Sequence, residues 1–501
     1  MKKYTTIHQH ITWVMILMVT ACVPDRGNYD YSKLDPIKID PSTLQSNYVI
    51  KQMEHLDITA KATQLSDDSN LEYTWTLLQN TWEGDPVTEK VVGEVIGTDK
   101  HLNAKMTFPP GKYQLTLKVS DKKNDVSEFA SASLSILSFA PQGWMILHGD
   151  TDSCDVSILT DSRINPDWPE EALQHKIFST TNGRQIAGEA AQVQYLKHLH
   201  NVYVFTHGAG GYRTSGNDLL IMNPYADMFL ETLTPSQCKF GAYNVYSYNE
   251  MVINDGSLYY VSQAEAGRYM RFNAKCYGQD YYAAPFIATQ FFEWGGYQGM
   301  IYDQKHQRFL FNNYARTLVN FKPASAGAAF DMNNVGKEMV YAEHGFESKW
   351  FCIMKDNDGK YLYICDFMKA DDGSLGHAKY DMGACENIDN ALYYAIGNRG
   401  NVLYYATDGR IYLYNYSGNN SSELKYTVAE PGYKISCMQI FKVSGNPYES
   451  RILFVGIYNE QTNSGKLLAF DINETNGSIN TGDVKTYEGF KKIASMIYKP
   501  Q

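Results

Sequence analysis

Cys22 is the side chain in this sequence with the plainest chemistry. It follows Val19-Thr20-Ala21. An aliphatic residue and two small ones before a cysteine resemble a lipoprotein lipobox, where cleavage frees the cysteine amine and the thiol is acylated. Lys2 and Lys3 give a basic start. Ile11 to Val19 is apolar, but far short of the about 20 residues a spanning helix needs. We therefore read residues 1–21 as a secretory signal peptide and Cys22 as the lipidated first residue of the mature chain. Acyl chains, at about 0.8 kcal/mol per buried methylene, hold such a chain to a membrane. No later apolar run is long enough to cross a bilayer.

Other reactive residues do not assemble into a recognisable catalytic pattern. There is no Gly-x-Ser-x-Gly elbow, no His-Glu-x-x-His and no phosphate loop. None of the eight cysteines lies in a Cys-x-x-Cys spacing, so neither a zinc site nor a redox motif is indicated. Seven remain besides Cys22, an odd number. Cys352 and Cys365 flank Asp356-Asn357-Asp358-Gly359 and face one another across a hairpin, either as a disulfide or as two small apolar thiols. That turn starts like a calcium loop but lacks the closing glutamate. His198 and His200 share one face of a strand-like stretch, a surface pair more than a metal site. We assign no catalytic residue, no metal and no cofactor. The net charge of −11, without any basic block, argues against nucleic acid as a partner.

What remains is binding chemistry. Several loops carry aromatic rings, some beside glycines and some beside Arg, Asn or His. They include Gly208 to Arg213, Glu293 to Tyr297, Asn312 to Arg316, Glu343 to Phe346 and Pro431 to Tyr433. Flat apolar faces beside oriented polar groups suit a sugar, a peptide or an aromatic ligand. Tyr212, Arg213, Trp294, Tyr314 and Arg316 break the repeat described below and are the stronger candidates. Tyr297, Phe346 and Tyr433 follow a glycine at a recurring place, where packing explains them as readily as binding.

The elements that must position these loops are strands. With 39 Tyr and 22 Phe, the composition favours sheet. After a polar tether over residues 22–34, residues 35–138 alternate with period two at Leu56 to Ala60, Leu71 to Leu77, Tyr113 to Val119 and Ala130 to Ile136. This is the pattern of a small sandwich with Trp75 at its centre. From residue 140 to 501 one aromatic strand recurs roughly every 50 residues, beginning at Gly143, Asn201, Ser257, Arg308, Lys360, Asn401 and Arg451. Most copies are followed by a second strand, such as Asp155 to Leu159, Asp218 to Met222 and Arg410 to Tyr414. Asn254-Asp255-Gly256 and Asp408-Gly409 mark tight turns. A period of this size with several strands per unit indicates a β-propeller, here with seven blades. The fifth, from Trp350 to about Asn390, is the weakest. Ile493 to Tyr498 matches an innermost strand with no unit after it, and the Gly143 unit lacks one. The C-terminal strand is therefore expected to complete the first blade, removing two exposed edges.

Tyr73-Thr74-Trp75 and Gly111-Lys112-Tyr113 resemble polycystic-kidney-disease (PKD) and other immunoglobulin-like (Ig) domains. Cys22, then Asp25-Arg26-Gly27-Asn28-Tyr29-Asp30-Tyr31, then one such domain and an aromatic propeller resemble the PKD-like lipoproteins of Bacteroides type. That resemblance implies a lipid-anchored protein of the outer membrane, displayed at the cell surface. It also implies partnership with a SusC/SusD-like importer, to which the protein delivers a glycan or peptide. It carries no catalytic residues. Two other classes stay open: a propeller glycosidase or lyase, indicated by carboxylates gathered in the funnel, and a ligand-free scaffold, indicated by a plugged one.

Overall fold

The computed structural model describes residues 35–65, 68–79, 93–123, 126–166, 171–196, 199–235, 240–246, 249–261, 271–288, 297–313, 316–367 and 373–500. Its regular structure is almost all strand. The chain divides into two compact units. One holds the described residues up to Ile50, His55–Lys105 and Gly111–Ser135. The other holds Lys51–Glu54, Met106–Pro110 and Ile136–Gln501.

In the first unit, a five-stranded sheet runs in the order Asn47–Lys51, Val126–Leu137, Gly111–Asp121, Leu71–Gln79, Glu94–Gly97, and His55–Thr59 pairs with His101–Lys105. Period-two alternation decides which side chains enter the core. Along Gly111–Asp121, Tyr113, Leu115, Leu117 and Val119 are buried while Gln114 and Lys118 are exposed. Trp75 has no exposed surface, and its indole N–H donates to the Asp99 carbonyl at 2.9 Å. Trp75→Ala should therefore cost about 3–5 kcal/mol. Equilibrium denaturation reads this directly, and an unmoved midpoint would refute the central placement of Trp75.

The second unit contains seven sheets among the described residues, none of them closed on itself. Each is an antiparallel meander built on a leading strand. These leading strands are Lys492–Lys499, Glu189–Leu196, Phe240–Tyr246, Tyr297–Asp303, Glu338–His344, Tyr393–Ile396 and Lys434–Ile440, for the first to seventh sheets. The second strands are Gly143–Gly149, Asn201–His207, Asn249–Asn254, Arg308–Asn313, Trp350–Lys355, Leu403–Ala406 and Ile452–Asn459. The first sheet takes its leading strand from the C-terminus: Gly143 to Gly149 pairs with Lys499 to Lys492.

Alternation along the second strands explains why they read as continuous apolar runs. Both faces are covered, as in sheets packed on two sides. Met145 and Leu147 enter an apolar layer shared with the second sheet. Trp144 and Ile146 enter one shared with Phe454 and Leu467 of the seventh. Similar layers lie between the second and third sheets, third and fourth, fourth and fifth, fifth and sixth, and sixth and seventh. The leading strands touch in series from the fifth sheet through the sixth, seventh, first and second to the third.

Three expectations need correction. The copies at Ser257 and Lys360 are third strands, not second ones; Asn249–Asn254 and Trp350–Lys355 hold the second place. Asp218 to Met222 does not form the second sheet's next strand. Gly210–Ser215 does, because Asp218 accepts from the Leu220 N–H and turns the chain there. The fifth sheet is not weak but a regular four-stranded meander ending in Gly376–Asp381. Cys352 and Cys365 lie diagonally on its second and third strands as buried free thiols, and burial pushes the Cys352 thiol well above its ordinary value.

Candidate functional site

An antiparallel meander puts its first-to-second and third-to-outer connections at one end of the sheet. Its second-to-third connection and its exit to the next sheet lie at the other. At the latter end, the sixth and seventh sheets enclose a cavity of about 1150 Å3. It is lined by the 387–390 segment, the turn around Asp408-Gly409, Gly432 to Ser436, Tyr458 to Gln461, and Lys492. A second cavity of about 680 Å3 continues from it across the first and second sheets to Asp150, Glu189 and His207. Tyr393, Ser436, Tyr458, Glu460 and Lys492 line both, so the two form one cleft.

Three tyrosines stand in it, two of them with their hydroxyls tied. The Tyr433 hydroxyl is 2.8 Å from Ser464 Oγ, and Lys466 Nζ lies 5.3 Å from the ring centroid. Lys466 is held charged by hydrogen bonds to Glu430 and Glu488, at 2.8 and 2.9 Å. The Tyr458 hydroxyl donates to Asn463 Oδ1 at 2.8 Å. Burial raises the Tyr393 hydroxyl above its ordinary range, with Cys437 and Asp408 adding to the effect. Asn459 Oδ1 accepts from the Gln461 N–H at 3.0 Å, which shapes the hairpin tip. Ser436 lines both parts, and its Oγ is buried without a hydrogen-bond partner among the described residues.

Charge in the larger cavity cancels: Arg410, Lys434 and Lys492 against Asp389, Asp408 and Glu460. Lys434 pairs with Asp408 at 3.4 Å and Lys492 with Glu189 at 3.5 Å. Arg410, Asp389 and Glu460 make no ion pair among the described residues. Tyr393 and Tyr433 also pack against the apolar layer between the two sheets; such part-exposed rings, with amides and charged groups beside them, can hold a polar organic ligand by ring contact and by directed hydrogen bonds.

Of the residues singled out from sequence, Tyr433 lies in this cleft. Phe346 does not. It follows the leading strand of its sheet instead of preceding it, so it sits at the opposite end, beside Arg399, Asn401 and Asn415 in another cavity of about 640 Å3. Tyr212 packs on Phe178 at 5.5 Å, with the Arg184 guanidinium 5.7 Å from its ring. Arg213 is 5% exposed and donates to Asn223. Beside it the Tyr203 hydroxyl donates to Glu250 at 2.8 Å. Arg316 forms the left-handed corner of the fourth sheet's second-to-third turn, and its carbonyl accepts from the Tyr277 N–H at 3.2 Å. Tyr297 opens the fourth leading strand, opposite Asn313; its side chain lies outside the described residues, as do Cys22, Trp294, Tyr314 and His198. His200 Nδ1 is 3.0 Å from the Tyr195 hydroxyl. Asp356 caps its own hairpin and pairs with Lys337.

Tyr393, Tyr458, Arg410 and Lys492 escaped the sequence reading. Their one available signal was position: each stands within two residues of the end of a strand, at the end of the meander where the cleft opens.

The model of the PKD-like family matches residues 22–190, which takes in the first sheet's strands from Gly143 to Ala187 but not its leading strand Lys492–Lys499. No curated protein matches the chain. Among solved structures, the chain is similar to a quinoprotein alcohol dehydrogenase-like protein from Bacteroides thetaiotaomicron. The two are 12% identical, with 92% of this chain and 99% of that one covered and a TM-score of 0.51. A protein of unknown function from the same organism covers 91% of this chain at 10% identity and a TM-score of 0.33. The WD40 domain of Neurospora crassa Pan2 covers 59% of this chain and 81% of that one, at 8% identity and a TM-score of 0.37. At such identities the first of these speaks for a propeller-like fold and for nothing else.

Proposed function

We propose that this chain is a surface lipoprotein that captures a nutrient ligand, a glycan or a peptide, and acts as an accessory to a SusC/SusD-like outer-membrane importer. In this reading residues 1–21 are removed, lipid on Cys22 anchors residues 22–34 as a tether, and residues 35–138 form a PKD/Ig-like sandwich. Residues 140–501 form a seven-bladed β-propeller whose funnel is the binding site. The ring is supported by the seven apolar layers, including the one joining the seventh sheet to the first. The observation that carries the functional reading is the continuous cleft, lined by three tyrosines. Importer partnership rests on the resemblance to PKD-like lipoproteins.

The direct test is to solubilise the native protein in mild detergent, capture it, and identify what comes with it. An importer pair and a bound glycan or peptide are expected; recovery of neither would reject the reading. Anchoring is tested separately. Cys22→Ala should move the protein from the membrane fraction to the soluble fraction, because the two-chain hold depends on that thiol and amine. A variant that still sediments with membranes would sink the lipid assignment.

A further inference from the structure

The cleft's dimensions and chemistry narrow the ligand. It runs across four consecutive sheets, the sixth, seventh, first and second, and its larger part alone exceeds the roughly 300–1000 Å3 typical of compact small-molecule sites. A long open trough of this kind fits a linear ligand that lies along it.

Its walls offer little to an extended peptide. Peptides in that form usually bind by adding a strand to an unpaired sheet edge. Here the cleft is walled by strand ends and hairpin tips whose residues are already in ladders: Arg410 opposite Thr427, Lys434 opposite Tyr458, and Lys492 opposite Gly149. Nor does it favour a charged ligand. The three cations and three carboxylates of the larger part match in number, and the smaller part adds Asp150, tied to Lys491, and Glu189, which shares Lys492, so the lining disfavours an anion and offers a cation only carboxylates that lysines already hold in part. What it does present is three part-exposed tyrosine rings among amides and charged groups. Planar amide, carboxylate and guanidinium groups can each grip two neighbouring hydroxyls, and an aromatic face packs against the C–H face of a sugar ring. The tyrosine hydroxyls are tied to Ser464 and Asn463. The rings are thus pre-organised, which limits the entropy lost on binding.

We propose that the cleft binds an extended, uncharged oligosaccharide, with sugar rings on Tyr393, Tyr433 and Tyr458 and hydroxyls held by Asn390, Arg410 and Glu460. This inference rests on the cleft being the ligand site of the proposed function.

The test titrates the detergent-solubilised full chain with cellohexaose, maltohexaose, mannohexaose and xylohexaose, with their disaccharides, and with a pool of random decapeptides. At least one hexasaccharide should bind about tenfold or more tightly than its disaccharide, a difference of about 1.4 kcal/mol. Tyr458→Ala and Tyr433→Ala should each weaken it by a similar factor, while Tyr458→Phe, which keeps the ring, stays within about threefold. Phe346→Ala, at the other end of the sheets, should leave binding unchanged. Melting curves matching the parent's show that the variants are folded. Decapeptide binding that Tyr458→Ala abolishes would overturn the oligosaccharide assignment and leave the proposed function standing. Hexasaccharide binding indifferent to both alanine variants, or no tighter than the disaccharide's, would overturn the extended site. If no probe binds, the inference and the reading beneath it both fall.

Discussion

A chain that ends at Phe490 should lose the cooperative unfolding transition of its larger unit. The eleven residues removed include Lys492–Lys499, the leading strand of the first sheet, which pairs along Gly143 to Gly149. Ile493 and Met496 are buried between the first and seventh sheets, while Ala494 and Ile497 pack toward the second. Met496 Sδ also accepts from the Trp144 indole at 3.3 Å. Removing one such aliphatic side chain costs about 2–5 kcal/mol. Removing several together approaches the whole 5–15 kcal/mol stability typical of a domain. The cut would also bare the edge of Gly143–Gly149, an invitation to edge-to-edge aggregation. Met496→Ala is the milder companion, expected to fold with a loss of about 2–5 kcal/mol. Denaturation followed by tryptophan fluorescence and by calorimetry checks both. A truncated chain that melts with the parent's midpoint would refute closure by the C-terminal strand.

Acid should loosen the same seam. His148 Nδ1 accepts from the Lys491 N–H at 3.1 Å, so its proton sits on Nε2, which donates to Ser157 Oγ at 2.8 Å. The Ser157 hydroxyl then donates to His175 Nδ1 at 2.9 Å. Both rings meet Phe490 edge-on. The chain of hydrogen bonds closes only when both imidazoles are neutral. Burial, with His175 and Lys491 beside it, lowers His148 from 6.5 to about 3. Away from this seam, at the end of the fifth leading strand, burial lowers His344 to about 3, with the Ser348 carbonyl opposing and Lys442 adding to it. Of the remaining charged groups near the seam, Asp155 accepts from the Val156 and Ser179 N–H groups and Asp150 pairs with Lys491.

The sign follows from these shifts. The folded state binds these protons more weakly than the unfolded one. The stability they support is therefore complete above about pH 6.5 and is lost as the pH falls toward about 3. At pH 5, His148 accounts for a loss of about 2 kcal/mol. His148→Gln should flatten the fall in stability between pH 7 and pH 5 by about that amount, as read from denaturation midpoints at each pH. A variant with the parent's pH dependence would show that His148 does not control it.

Much of the architecture was legible in the sequence. Period-two alternation marked four strands of the first unit, and the tyrosine-rich recurrence marked the sheets of the second. The phase of that recurrence was not legible. In the third and fifth sheets, second and third strands have the same two-sided burial and hence the same apolar composition, so Ser257–Val261 and Lys360–Cys365 look like second strands. Asn249–Asn254 was overlooked because Glu250, buried against Tyr203, gives it a polar look. The site was harder for a related reason. Tyr404, Tyr405, Tyr412 and Tyr414 are all buried in the core, and nothing in the sequence near Tyr393 or Tyr458 distinguishes a cleft tyrosine from these. Tyr433 stood out because it lies outside a strand, after a glycine. Arg213 read as a loop cation and is instead a buried strand residue, since Gly210 and Gly211 with positive φ place the turn one step earlier.

The pairing of Lys492–Lys499 with Gly143–Gly149 also sets an order of events in time. The contacts that complete the first sheet span most of the polypeptide, the kind that slow folding. Until Lys492–Lys499 has docked, Trp144 and Ile146 lack Ile493 and Met496 and have no finished layer to enter. The larger unit can then reach its native state only after that strand has paired, however early its middle sheets collapse.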